Sequence, residues 1–127
     1  MGAPTVTVLI ALVLFQIKHC LCDFVLQTQG QLRAKGTYGA MGGIQHAGLH
    51  AISSLPALYV LTQSPFAILA FAAAEFALHY HIDFAKARVD AARGWKVTDQ
   101  QYWIVFGLDQ FAHQLTYLAF VYVLKVP

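Results

Sequence analysis

The chain has 127 residues, of which 58% are apolar and only 11% charged, and its formal net charge is +2. Soluble domains carry about a quarter charged residues, so the composition points to a lipid-embedded protein, and the length allows one compact domain. So small a net charge, without a basic stripe or a nucleic-acid motif, excludes nucleic acid as a partner.

A spanning helix needs roughly 20 mostly apolar residues, and four segments supply them. The first covers about 5–27. No positive residues precede it and its apolar run continues through Leu26, so it reads as a spanning helix rather than a cleaved signal. The Met1-Gly2 start lacks the Ser or Thr that myristoylation requires at the position of Val6. Cys20 and Cys22 lie two apart, on different helix faces, and read as small buried hydrophobes rather than a disulfide. A polar loop over 30–39 carries Arg33 and Lys35.

The second span covers about 40–61. Gly43, Ala47 and Ala51 form a row of small residues that permits close helix approach. Pro56 should kink it just beyond Ser53 and Ser54, whose hydroxyls can bond the freed carbonyls. Ser64-Pro65 is a helix-start pair for the third span, 64–84. Lys86, Arg88 and Arg93 make a basic helical extension that Gly94 stops. Trp95 and Lys96 suit a membrane interface. Thr98 with Gln101 reads as a capping box opening the fourth span, 102–124. The expected fold is an all-α, four-helix transmembrane bundle forming one domain over 1–127. Basic residues concentrate in the first and third connections, which places those loops inside and both termini outside.

The His and Asp residues fall in a pattern. The four spans carry His19 and Asp23, His46 and His50, His79 and Asp83, and Asp109 and His113, one i, i+4 pair each. Such pairs share one helix face, a turn apart. A random His in this composition meets another His or acid four residues away about one time in five, yet five of the six His do. With the orientation taken from Lys and Arg alone, all four pairs reach one level near the inner side.

Intramembrane Asp costs roughly 2.5–3.5 kcal/mol on insertion scales, so these groups must be paired, hydrated or coordinated. Facing helices with i, i+4 ligands can build a metal site in a bundle core. The eight residues are therefore the expected ligands of one or two divalent ions, zinc first, with iron or manganese as alternatives. The expected reaction is metal-dependent hydrolysis, with a metal-activated water as nucleophile and an unligated Asp as base. Gln27 and Gln110 read as donors to the ligating carboxylates, and Glu75 as a ligand or polar support. Lys86 should pair with Asp83 or, together with Arg33 or Lys35, hold an anionic, phosphate-bearing substrate. His81 lies on another face and reads as an interface group, and Lys18 has no assigned role.

Two other classes compete. A metal or proton transport or handling protein needs a path to the outer face, where the helices are almost wholly apolar. A structural membrane subunit would use the polar cluster as a hydrogen-bonded network that sets helix packing. Besides the bilayer, a second copy or a membrane protein is the expected partner.

His19-x-x-x-Asp23-Phe24-Val25-Leu26-Gln27-Thr28, His46-x-x-x-His50, His79-x-x-x-Asp83-Phe84-x-Lys86 and Asp109-Gln110-x-x-His113 occur in this order over nearly the whole chain. Together they resemble the motifs of a bacterial membrane family without an assigned function, domain-of-unknown-function family 3307. That resemblance implies a multi-pass protein of the bacterial inner membrane. It also implies a likeness in style to inner-membrane proteins labelled metal-dependent hydrolases.

Overall fold

A computed structural model describes residues 3–125, which are all-helical, with no strand among the described residues. Helix α1 (Ala3–Cys20) passes without a break into a π-helical turn, Leu21–Val25, closed by Leu26 N–H donating to the Leu21 carbonyl at 2.8 Å. The wider turn presents the consecutive residues Cys22 and Asp23 to the interior.

The segment expected as a polar loop contains a short helix, α2 (Gln29–Ala34). Thr28 and Gln31 form a reciprocal capping box, Gln31 N–H donating to Thr28 Oγ1 and Thr28 N–H to Gln31 Oε1. Helix α2 packs on the start of α3 (Met41–Ser53). Glycine is required at that contact. A Cβ on Gly42 would lie 2.7 Å from Ala34 Cβ and 3.2 Å from Gln31 Cα. Replacing Gly42 with leucine is therefore expected to lift α2 off α3 and to cost roughly 1–3 kcal/mol, the usual scale of overpacking. Chemical unfolding in detergent measures the loss, and wild-type stability would refute the docking role.

The expected second span is two helices, α3 and α4 (Leu55–Leu61), broken at Ser54. Pro56 has no N–H to donate to the Ile52 carbonyl. Ser54 Oγ donates to the His50 carbonyl at 3.0 Å, while Ser53 Oγ instead accepts from the Cys22 thiol at 3.5 Å. Helix α5 (Pro65–Arg93) starts as expected, Ser64 Oγ accepting from Ala67 N–H, and ends at Gly94 with φ +64°, the left-handed conformation glycine tolerates. The capping box expected at the last helix does not form. Asp99 closes a turn by accepting from Lys96 N–H at 2.8 Å, and α6 (Gln100–Lys125) follows it directly.

The interior divides into two layers. Ala11, Phe15, Leu58, Leu61, Tyr117, Phe120 and Val121 form an apolar core, with Phe15 and Tyr117 stacked at 4.8 Å. Beyond it lies a buried polar layer. The outward surface is apolar: Phe66, Leu69, Ile52 and Leu108 are among the most exposed side chains. Two helical stretches, Pro4–Val25 and α5, are long and apolar enough to cross a bilayer, with mean hydropathies of 2.0 and 1.3.

Candidate metal centre

All eight predicted ligands are buried and meet in the polar layer. Each helix delivers its pair because i and i+4 share a face. Helix α1 with its π turn supplies His19 and Asp23, α3 supplies His46 and His50, α5 supplies His79 and Asp83, and α6 supplies Asp109 and His113.

The Nε2 atoms point at carboxylates. Asp23 Oδ1 lies 3.0 Å from His46 Nε2 and 3.3 Å from His50 Nε2, and Asp23 Oδ2 is 3.1 Å from His19 Nε2. Asp83 Oδ2 lies 3.4 Å from His46 Nε2 and 3.3 Å from His79 Nε2. His113 Nε2 is 3.5 Å from Asp83 Oδ1 and 3.6 Å from Asp109 Oδ1. These approaches are short, yet several have no hydrogen-bond geometry. Asp23 Oδ1, His50 Nε2, Asp109 Oδ1 and His113 Nε2 are buried without a hydrogen-bond partner. Buried polar atoms are normally satisfied, since leaving one unpaired costs about 1–3 kcal/mol. His46 Nε2 and His79 Nε2 bond each other at 3.3 Å, but donor atoms that crowd one point with several left unbonded suit a shared cation.

Two groups have all their donor atoms within 4.8 Å of one another: Asp23, His46, His50 and His79, and His79, Asp83 and His113. The first offers four donors, enough for a tetrahedral ion, and the second offers three and leaves a position open. They share His79. His19 and Asp109 stand outside both groups. His19 Nε2 lies 3.0 Å from Gln110 Oε1, and Gln110 Nε2 donates to Asp109 Oδ2 at 3.1 Å.

Charge supports a cation as well. Asp23, Glu75, Asp83 and Asp109 are buried carboxylates, while Lys18 and Lys35 are the ammonium groups that contact them. Four carboxylates against two ammonium groups leave an acidic excess, which suits a divalent cation.

Behind the imidazoles lies a second set of contacts that sequence reasoning missed. Lys18 Nζ pairs with Glu75 Oε1 at 2.5 Å and lies 3.3 Å from His50 Nδ1. Tyr117 Oη lies 2.9 Å from His19 Nδ1 and donates to Glu75 Oε1 at 3.4 Å. Glu75 therefore supports the cluster from its deep side, 3.8 Å from His79 Nδ1. Tyr117 had a signal, being one turn beyond His113 on the same face, and so had Lys18, an ammonium within an apolar helix long enough to cross a bilayer. Lys35 had none: it reaches Asp83 Oδ2 at 2.9 Å from the residue following α2.

Two expected partners differ. Lys86 pairs with Asp90 one turn along at 2.8 Å, not with Asp83, which Lys35 holds. Gln27 Nε2 donates to the backbone carbonyl of Asp23, not to its carboxylate, because the π turn brings that carbonyl within 2.8 Å. His81 is exposed and bonds the Ala77 carbonyl and Tyr38. Cys20 and Cys22 are free thiols, as expected, but only Cys22 is buried, Cys20 being exposed on the opposite side of the helix turn.

Asp23, Asp83 and Asp109 also line a cavity of about 460 Å³ that opens at the same end of the bundle as α2. Arg33, Lys35 and Lys86 stand on its walls.

A family sequence model described as "Protein of unknown function (DUF3307)" matches residues 9–127. No curated protein matches the chain, and no solved structure does. The chain belongs to the DUF3307 family.

Proposed function

We propose that this member of the DUF3307 family is a four-helix transmembrane bundle holding one divalent metal ion, zinc first, in its polar layer, and that it hydrolyses an anionic, phosphate-bearing substrate near the cytoplasmic face. The observation that carries the reading is the convergence of four i, i+4 pairs on buried donor atoms, several of which make no hydrogen bonds. One ion rather than two follows from the sharing of His79 between the two donor groups.

The bundle reading rests on the inverted distribution of side chains, with apolar residues facing out and charged residues facing in. Helix α6, at 26 residues, is long enough to span. The α3–α4 pair together covers 41–61, about 30 Å of helix. Arg33, Arg88 and Arg93 gather at the cavity end of the chain's connections, which by the distribution of basic residues is the bacterial cytoplasmic side, with both termini outside.

Bound here, the ion supplies Lewis acidity toward a phosphoryl oxygen and activates water. The chain's own groups do the rest. Lys35, Arg33 and Lys86 hold the anion at the mouth of the cavity. Asp109 faces the cavity and belongs to neither donor group, so it is the residue placed to take a proton from water. The apolar core beyond the cluster weighs against a transport path to the outer face.

Metal content by mass spectrometry on detergent-purified protein, never exposed to chelator, tests the reading. One equivalent of a divalent metal is expected, and it should be lost in the His50→Ala/His79→Ala double variant. Folded wild-type protein without metal would leave a polar network in its place.

A further inference from the structure

The cavity lining is of two kinds, the cations Arg33, Lys35 and Lys86 and the rings of Phe24, Tyr102 and Phe106. Lys86 Nζ joins them, lying 5.7 Å from the Tyr102 ring centre and 5.8 Å from that of Phe106 while paired with Asp90. A site for a small soluble anion has no use for the aromatic lining.

The aromatic lining stands at a gap between helices. Helices α1 and α6 pack together, but the π-helical turn and α6 do not: no Cα of Leu21–Val25 comes within 8 Å of one in α6. Side chains alone span the opening, Phe24 and Phe106 meeting edge to face at 6.4 Å. Phe24 is 61% exposed, and its neighbours Val25 and Leu26 are exposed too. Phe24 therefore borders both the cavity and the apolar outer surface.

From this geometry we infer that the cavity takes an anionic phospholipid. Its phosphate sits among Arg33, Lys35 and Lys86 beside the carboxylates of the cluster, and its acyl chains leave sideways between the π turn and α6, past Phe24 and Phe106. As a substrate assignment this rests on the metal-hydrolase reading, but the lipid site itself is defined by the two kinds of lining and the gap. The cations match the phosphate, the rings match the chains, and Phe24 borders the medium in which such a molecule resides.

Photocrosslinking tests it. The protein, its zinc content counted beforehand, is placed in phosphatidylcholine nanodiscs doped with diazirine-chain phosphatidic acid or, at the same mole fraction, diazirine-chain phosphatidylcholine. Selective labelling by phosphatidic acid is expected on peptides containing Phe24 and Phe106, undiminished by excess inorganic phosphate. Lys86→Gln should lower it about fivefold, the factor for one basic group near an anionic headgroup, and Phe24→Ala should shift the label off the π turn. Equal labelling by the two probes means ordinary boundary lipid and overturns the proposal. Loss of labelling to inorganic phosphate means a soluble-anion site and also overturns it. Zinc present without selective labelling removes the lipid site alone, whereas selective labelling without zinc removes the metal reading alone.

Discussion

Replacing Asp23 with asparagine is expected to have opposite consequences with and without metal. Asp23 Oδ1 is the donor nearest to both α3 imidazoles, at 3.0 and 3.3 Å. Altering a group that merely supports a ligand costs about 10–100-fold in metal affinity, so losing this donor should cost more than roughly a hundredfold. At zinc a thousandfold above its Kd, wild type gains about 4 kcal/mol of stability from the bound ion, and the variant forgoes most of it. After chelation the sign changes. The cluster then keeps more buried carboxylates than ammonium groups, and the Asp23→Asn substitution removes one carboxylate, so the stripped variant should melt no lower than stripped wild type. Thermal melts in detergent, with zinc and with chelator, give all four values. An equal destabilisation in both conditions would mean that Asp23 is a structural hydrogen-bonding group and would remove the metal argument.

The second large effect lies deeper. Lys18 and Glu75 form an ion pair at 2.5 Å, their side chains 6% and 1% exposed. Removing one partner from such a pair leaves a buried charge uncompensated and costs about 3–5 kcal/mol, whereas replacing both with apolar groups is often close to neutral. Glu75→Leu and Lys18→Met should each destabilise the protein on that scale, and the double variant should return most of the loss. Zinc affinity separates the structural role from the chemical one. The double variant leaves His50 Nδ1 and Tyr117 Oη without these neighbours, so its affinity should fall about 10–100-fold even where stability recovers. Additive losses in the double variant would show that the two side chains do not act as a pair.

The four i, i+4 pairs were legible because their signal is local. Four residues is close to one helical turn, so His19 with Asp23 or Asp109 with His113 must share a face in any helix that contains them, and burial cost then requires that these faces meet. The same locality made the Ser64-Pro65 start and the Gly94 stop readable. It failed where a local pattern has two solutions. Thr28-x-x-Gln31 and Thr98-x-x-Gln101 carry the same capping signature, yet only the first forms the box, because α6 starts at Gln100, one residue too late for Thr98 to cap it, and the Thr98 hydroxyl donates to Asp99 Oδ1 instead. Contacts between distant segments were left to the tertiary structure. Lys35 reaches Asp83 because α2 docks closely against Gly42, Lys18 finds Glu75 across 57 positions of chain, and the π turn diverges from α6 to open the cavity. Periodicity determines which side chains share a face, but only the packing of one helix against another decides which face a lone lysine meets and where a gap remains.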